Sequence, residues 1–330
     1  PRPNGSSSSV PDATVRARAL GGRRVLELAD ERGVYGGKLL ADMGADVIWI
    51  ERPGGDAIRE IPPFWRGQRH PQRGLFFLYT NTSKRGVTLD ITRLEGKGLF
   101  RRMVESADLV LETFPPGFLE GLGLGYRDLR AVNPRLVFTS ITDFGQTGPH
   151  RSFKSSDMVA SALGGSMYVT GEEEDPPVKL AGSQAHMMAS TFGAVSSMIA
   201  LHRCSTGGEG QHVDISVEEA TVSVSHICGV GKWLDDGIIP RRRGTGLFAS
   251  VPSGAYPCTD GMVYLMINRP LHWQALARWI NEVTGNQEVL DPMFEGPSST
   301  RLPYRELLDI FISELTSQFT VDEIYHEGQR

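Results

Sequence analysis

From residue 23 onwards, apolar and polar positions follow the order strand, helix, strand. The apolar run at 23–28 predicts a buried strand, and the apolar spacing over 33–45 predicts a helix that closes at Gly44. A second apolar run at 46–51 predicts the next strand. A β-α-β unit of this kind implies parallel strands joined by a right-handed crossover.

The alternation continues as far as residue 145. Further strands are predicted at 86–91, 108–114 and 135–145, with a helix over 95–107 and another that ends near 134. Strands that alternate with helices over such a length indicate an α/β fold. We therefore predict a doubly wound α/β core with a parallel sheet.

The second half of the chain has a different pattern. Residues 152–203 are predicted to be mostly helical, with one long helix over 183–204. Residues 211–229 are predicted to begin as a strand and turn into a helix. Loop and hairpin signals over 241–267 are followed by a pattern of small helices over 270–330.

These shifts in pattern predict three segments. Residues 1–21 are rich in Pro, Ser and Gly and are predicted to be a disordered lead-in. Residues 22–229 are expected to form the large α/β domain, and 230–330 a smaller α+β domain.

Composition excludes several classes of function. The 330-residue chain has a formal net charge of -5, which argues against nucleic-acid binding through bulk charge. Its 3 cysteines form no CxxC pair, which argues against a disulfide framework and a cysteine-based zinc site, so we expect no metal. No apolar run reaches the roughly 18–20 residues that span a bilayer, and a cytoplasmic protein without a membrane partner is expected.

The first strand-helix-strand unit also invites a dinucleotide interpretation, because the second strand ends in the acid Glu51. The intervening turn reads ADERGVYGG and lacks the GxGxxG pattern, so NAD binding is disfavoured. Arg52 follows Glu51 and is placed to meet a phosphate, since open α/β sheets bind ligands at the carboxyl ends of their strands. A strand-end ion pair without a ligand is the alternative.

Seven stretches between residues 39 and 265 carry a distinctive pattern. They are LLADMGADVIWIERPGGD (39–56), NTSKRGVTLDI (81–91), ADLVLETFPPG (107–117), NPRLVFTSITDFGQTGP (133–149), SSDMVASALGG (155–165), GEGQHVDISVEEA (208–220) and PSGAYPCTDGMVYL (252–265). Taken in this order, they resemble the family III CoA-transferases, also called the CaiB/BaiF family. That family includes formyl-CoA, carnitine-CoA and benzylsuccinate CoA-transferases and alpha-methylacyl-CoA racemase.

The resemblance implies a CoA-transferase with coenzyme A, acyl-CoA and small carboxylic acids as ligands. It also implies a Rossmann-like large domain, a smaller domain and an interlocked homodimer. It places Arg52 at the CoA phosphates, Leu89 beside the adenine and Phe114 in the segment that lines the CoA site. Lys84 is a further candidate CoA contact. Gln146 is a candidate side-chain amide for the reacting oxyanion, with an ordinary turn glutamine as the alternative.

By the same resemblance, Asp157 is the catalytic nucleophile. An aspartate carboxylate is already ionised at neutral pH, so no base has to activate it. It attacks an acyl-CoA thioester to form a mixed anhydride, which the CoA thiolate converts into an aspartyl-CoA thioester. Backbone amides near the glycines at 164–165 and in 143–148 are candidate oxyanion donors. Without the resemblance, Asp157 reads as a helix N-cap, and the two roles are compatible.

Two other functions stay open. A racemase acting on a 2-methylacyl-CoA needs two acid/base groups, and that branch pairs its aspartate with a neighbouring His where this chain has Ser156. An inactive or partial subunit of a larger fused enzyme is suggested by the ending within the small-domain helices. Asp143 replaces the usual glycine and no tetraglycine lid is found, which argues against a formyl-CoA transferase. His186 is predicted to have a packing or surface role, and Asp214 a structural one.

Overall fold

The computed structural model describes residues 18–225, 230–246 and 250–329. These residues form two compact units. One unit contains 18–160 and 183–220, and the other contains 161–182 and the described residues from 221 onwards. The predicted division at residue 229 therefore stays a prediction, and the compact units divide the chain at different places. The predicted disordered lead-in lies outside the described residues, except for a turn at 18–21.

The first unit is built on a six-stranded parallel sheet. Its strand order is β3-β2-β1-β4-β5-β6, so the order reverses direction between β1 and β4. Val25 of β1 pairs with both Val47 and Leu109, which fixes the register of the central strands. The strands are β1 (Arg24–Leu28), β2 (Asp46–Glu51), β3 (Arg85–Thr88), β4 (Leu109–Glu112), β5 (Val137–Thr142) and β6 (His212–Ser216).

Helices connect the strands and continue into the second unit. The shortest of the described α-helices are α4, with four residues, and α5, with five, and the longest is α7, with 22 residues. The helices are α1 (Val34–Asp42), α2 (Leu75–Thr80), α3 (Leu94–Val104), α4 (Phe118–Gly121), α5 (Tyr126–Arg130), α6 (Asp157–Leu163), α7 (Gln184–Ser205), α8 (Val217–Val224), α9 (Val230–Asp236), α10 (Pro270–Thr284), α11 (Arg305–Thr316) and α12 (Val321–Glu327).

Both faces of the sheet are covered by apolar side chains. On one face, Val25 and Leu109 pack with residues of α1 and α7. On the other face, Leu26 and Val110 pack with residues of α3 and α5, including Phe100. Successive residues of a strand point to opposite faces, so a run of consecutive apolar residues suits a strand buried on both sides. The predicted α/β fold with a doubly wound parallel sheet is confirmed.

The second unit contains an antiparallel hairpin of β7 (Ser253–Pro257) and β8 (Met262–Met266), which agrees with the predicted hairpin. Its core joins Tyr256 to apolar residues of α10 and α11, among them Trp273 and Phe311. The prediction that 152–203 is mostly helical was only partly right. Residues 164–183 form turns and loops between α6 and α7, because their Gly and Pro residues do not continue a helix.

Candidate active site

The six parallel strands bring their carboxyl ends to one edge of the sheet. The reversal of strand order lies between β1 and β4, and open α/β sheets bind ligands beside such a reversal. Residues that follow β1, β4 and β5 therefore surround the natural binding position. Polar side chains from these three connections do meet there, around Arg32.

Arg32 lies in the connection after β1 and links the three strand ends. Its guanidinium donates to the Asp30 carboxylate at 2.7 and 3.1 Å and to the Thr113 carbonyl at 2.7 Å. It also reaches Asp143, after β5, at 3.3 Å. Burial alone would raise the pKa of Asp30, but the bonds from Arg32 outweigh burial and hold that pKa below its ordinary value. The network holds the connections after β1, β4 and β5 together at this edge of the sheet.

Glu112, the last residue of β4, is buried next to this network. Burial raises the pKa of Glu112 to about 7, although the Phe114 amide donates to its carboxylate at 2.7 Å. The same bond positions Phe114, whose ring stacks on Phe118 with centroids 4.7 Å apart. A carboxyl group of this kind is part protonated near neutral pH.

Four of the five predicted CoA-binding residues follow the carboxyl end of a strand. Arg52 is exposed after β2, Leu89 follows β3 and donates its amide to Glu51, Phe114 follows β4, and Gln146 follows β5. The structure thus brings these four residues to one edge of the sheet. Their contacts with CoA stay predictions.

Lys84 is placed differently. It directly precedes β3, and its side chain is only 1% exposed. The ammonium donates to Glu27 of β1 at 2.9 Å and to the Val34 carbonyl at 2.8 Å. Glu27 is itself fully buried. The role of Lys84 as a CoA contact stays a prediction, but in this structure its charge is engaged inside the unit.

The turn that contains Gln146 is held by Asp214 of β6. The Gln146 amide donates to the two Asp214 carboxylate oxygens at 3.1 and 3.0 Å. Gly145 adopts a φ of 81°, a conformation that suits glycine in so tight a turn. Asp214 therefore anchors this turn, whereas the structural role predicted for it, at the junction between β6 and α8, stays a prediction.

Asp157 is the first residue of α6, and its side chain is 8% exposed. The capping position belongs to Ser156, one residue earlier than the capping alternative placed it, because the Val159 amide donates to the Ser156 hydroxyl at 3.4 Å. The Asp157 carboxylate instead accepts the His186 amide at 3.2 Å. That amide belongs to the first turn of α7, where a helix stabilises negative charge.

The His186 side chain lies beside this contact. Its ring is 2% exposed, and among the described residues neither ring nitrogen has a hydrogen-bond partner. The nearest acid is Glu31, in the connection after β1, with Oε1 3.7 Å from the ring Nδ1. The next turn of α7 is tied to the same connection, because the Ser190 hydroxyl donates to the Arg32 carbonyl at 2.8 Å.

Sequence reasoning missed Arg32, Asp30, Glu112 and the surroundings of His186. A usable signal was present for the first two, since ADERG follows the first strand and so lies at the carboxyl edge. The surroundings of His186 had no local signal, because 29 residues separate it from Asp157.

The sheet with polar residues at its reversal defines an α/β protein of the class that binds nucleotide-like ligands. The family model described as CoA-transferase family III matches residues 20–330. The chain therefore belongs to CoA-transferase family III. This membership confirms the predicted family and the predicted enzyme class, an acyl-CoA:carboxylate CoA-transferase.

Named relatives agree with this assignment. The chain is 36% identical to succinyl-CoA:(R)-benzylsuccinate CoA-transferase subunit BbsE of Thauera aromatica, over 93% of this chain and 75% of the relative. It is 35% identical, with the same coverage, to succinyl-CoA–D-citramalate CoA-transferase of Chloroflexus aurantiacus.

Solved structures show the same fold. A CaiB/BaiF family protein from Brucella suis matches with a TM-score of 0.76 at 30% identity, over 95% of this chain and 82% of that one. Rv3272 from Mycobacterium tuberculosis matches with a TM-score of 0.78 at 28% identity and the same coverage. Among the described residues, no helix combines the length and apolar character needed to cross a membrane.

Proposed function

We propose that this protein moves CoA from an acyl-CoA donor to a carboxylic acid, with Asp157 as the nucleophile. The observation that carries the proposal is the position of the Asp157 carboxylate. It is mostly buried and accepts an amide from the first turn of α7, at 3.2 Å. A helix N-terminus favours negative charge, and a carboxylate nucleophile attacks a thioester without a base.

The transfer proceeds in two matched halves. Asp157 oxygen adds to the thioester carbonyl carbon, the carbon–sulfur bond breaks, and CoA leaves as a thiolate with the bonding electron pair. The thiolate then attacks the aspartyl carbonyl of the mixed anhydride, which releases the donor acid and leaves an aspartyl-CoA thioester. The acceptor carboxylate reverses these steps. No net proton is consumed, so the transfer needs a nucleophile and oxyanion donors rather than an acid/base pair.

We assign CoA to the edge formed by the carboxyl ends of β2 to β5. Arg52 supplies an exposed cation for a phosphate, and Leu89 and Phe114 supply apolar surface for the adenine and pantetheine parts. The Gln146 side-chain amide is a candidate donor to the developing oxyanion, because its backbone is already held in place by Asp214.

The names of the relatives indicate the class of substrate. The benzylsuccinate, citramalate, mesaconate and glutarate enzymes all pair a dicarboxylic acid with succinyl-CoA or succinate. We therefore propose succinyl-CoA as the donor and a dicarboxylic acid as the acceptor. An interlocked homodimer, with a large Rossmann-like domain and a smaller one in each chain, belongs to the same proposal.

The test combines kinetics with trapping. The enzyme is incubated with succinyl-CoA and a panel of dicarboxylic acids, and the covalent adduct is trapped with hydroxylamine or borohydride and mapped by mass spectrometry. An adduct at Asp157, and loss of at least about 1,000-fold in kcat for Asp157→Asn, is the expected result, because the nucleophile itself is removed.

Asp175→Asn is the matched control, since Asp175 is an exposed acid. It is expected to behave like the wild type. Wild-type transfer by Asp157→Asn would refute the proposal. Deuterium exchange at the alpha carbon without movement of CoA would instead favour the racemase alternative.

A further inference from the structure

The buried position of the His186 imidazole destabilises the free protein, and apolar packing alone gives no reason for a polar ring there. It is 2% exposed, and neither ring nitrogen has a hydrogen-bond partner among the described residues. Leaving a buried polar group unpaired costs about 1–3 kcal/mol. Buried polar groups in native proteins are nearly always paired, so an exception calls for an explanation in the working state of the protein.

The position of the His186 ring near Asp157 supplies such an explanation. The backbone amide of the same residue donates to Asp157 at 3.2 Å, so the ring lies within one side-chain length of the nucleophile. An acyl group that reacts with Asp157 therefore comes close to the ring. Its carbonyl oxygen becomes negative during the attack, and a hydrogen-bond donor stabilises that charge.

Glu31 is the acid nearest to the ring. Its carboxylate lies 3.7 Å from Nδ1, slightly beyond hydrogen-bond distance, on the side of the connection after β1. An acid on one side of an imidazole orients the ring, so Glu31 is placed to fix the direction in which the imidazole points.

We propose that His186 is a catalytic residue whose imidazole donates a hydrogen bond to the acyl oxygen while Asp157 attacks the thioester, with Glu31 as its positioning partner. The inference rests on the proposed function of Asp157. The bond that forms is Asp157 oxygen to acyl carbon, the carbon–sulfur bond breaks, and the electron pair leaves with the CoA thiolate. His186 keeps its proton throughout, so the step balances without a further reactant.

The test separates this role from a packing role. His186→Leu removes both unpaired nitrogens at similar volume, so thermal stability is expected to be unchanged or higher. In contrast, kcat per folded protein is expected to fall about 100-fold, the usual effect of losing one oxyanion donor, with KM for succinyl-CoA changed much less. His186→Gln retains an N–H donor and is expected to recover part of kcat.

Two further variants sharpen the result. Glu31→Gln is expected to lower kcat less than His186→Leu, and the double variant is expected to be no worse than His186→Leu alone, because the two residues act as one unit. His202→Leu is the matched control. His202 is an exposed histidine near the other end of α7, and this variant is expected to match the wild type.

Several outcomes overturn the inference. A His186→Leu enzyme with wild-type kcat, or one that loses more than about 1 kcal/mol of stability, shows that the ring only packs. Full activity of Asp157→Asn defeats both proposals together. An inactive Asp157→Asn enzyme beside a fully active His186→Leu enzyme defeats this inference alone.

Discussion

Replacing Lys84 by Met tests whether this residue stabilises the fold or binds CoA. The Lys84 ammonium is 2.8 Å from a Glu27 carboxylate oxygen, and both side chains are almost completely buried. At an effective dielectric constant of about 20, two charges at that separation attract by about 6 kcal/mol. Desolvation opposes this attraction and is the larger effect on Glu27, whose pKa is raised by burial in spite of Lys84. Breaking a buried pair by removing one partner nevertheless costs about 3–5 kcal/mol, because the remaining charge is left buried without a partner.

That loss is large enough to measure in two ways. For a unit of this size, each kcal/mol shifts Tm by about 2–4 °C, so Lys84→Met is expected to lower Tm by about 6–20 °C. Urea unfolding followed by circular dichroism measures the same loss as a free energy. Lys154→Met, at an exposed lysine, is the matched control and is expected to change stability by less than about 0.5 kcal/mol.

The pH dependence of the loss has a definite sign. Burial raises the pKa of Glu27 to about 7, against the opposing effect of Lys84. Without Lys84 this pKa moves higher, so the folded variant favours a protonated Glu27. The loss of stability is then small at pH 5 and grows as the pH rises through 7, where the carboxylate must ionise without a partner.

A double variant completes the test. Glu27→Gln combined with Lys84→Met leaves no buried charge and is expected to recover much of the lost stability. If Lys84→Met instead stays within about 1 kcal/mol of the wild type while its KM for acyl-CoA rises, the burial argument is refuted. The predicted contact of Lys84 with CoA would then be supported.

Three other residues give shorter tests. Burial raises the pKa of Glu112 from its ordinary 4.5 to about 7, so its contribution to stability is complete below pH 4.5 and is lost as the pH rises through 7. Glu112→Gln should abolish this loss, which is at most about 3 kcal/mol, as measured by urea unfolding at pH 5 and 8. Gly96→Ala should cost about 2–3 kcal/mol, because the new Cβ would lie 1.8 Å from the Asp90 carbonyl oxygen. Asp214→Ala should cost about 1–3 kcal/mol and speed hydrogen exchange at the Gln146 amide.

Each of these three has an outcome that contradicts it. An unchanged pH dependence in Glu112→Gln would show that another group controls stability in this range. Gly98→Ala, on the same helix with no atom near its Cβ, is the control for Gly96 and should stabilise the protein by about 0.5–1 kcal/mol. Equal effects at the two glycines would refute the steric argument. Unchanged protection of Gln146 would exclude the anchoring role of Asp214.

Strand prediction gave the right bounds at β2, Asp46–Glu51, whose apolar run lies between an acid at each end. The fully buried strands β4, Leu109–Glu112, and β5, Val137–Thr142, are shorter than the strands predicted at 108–114 and 135–145, because the outer residues of those segments lie in the connections. The strand predicted at 86–91 is shorter and earlier as β3, Arg85–Thr88. It lies at the edge of the sheet with all four residues exposed, so its pattern of apolar residues carries little information about its ends.

The sequence predicted the parts of the candidate site that depend on local motifs and missed those that depend on long-range contacts. The motif that contains Asp157 is a local stretch, and the structure places this residue at the start of a helix as its surroundings suggested. Lys84 belongs to an equally local stretch, yet its charge is taken up by Glu27, 57 residues earlier in the chain. A lysine is expected to be exposed unless the buried acid that pairs with it is known.

The sequence alone determined most of the strands and helices of the sheet-containing unit, the parallel α/β class, the family, and the residue proposed as nucleophile. These properties depend on short-range spacing of apolar residues, on turn residues and on contiguous motifs. Only the tertiary structure decided that Glu27 neutralises Lys84, that Arg32 joins three strand ends, and that His186 lies beside Asp157. Those contacts join residues far apart in the chain, and they are created by the order in which the strands pair, which no local spacing encodes.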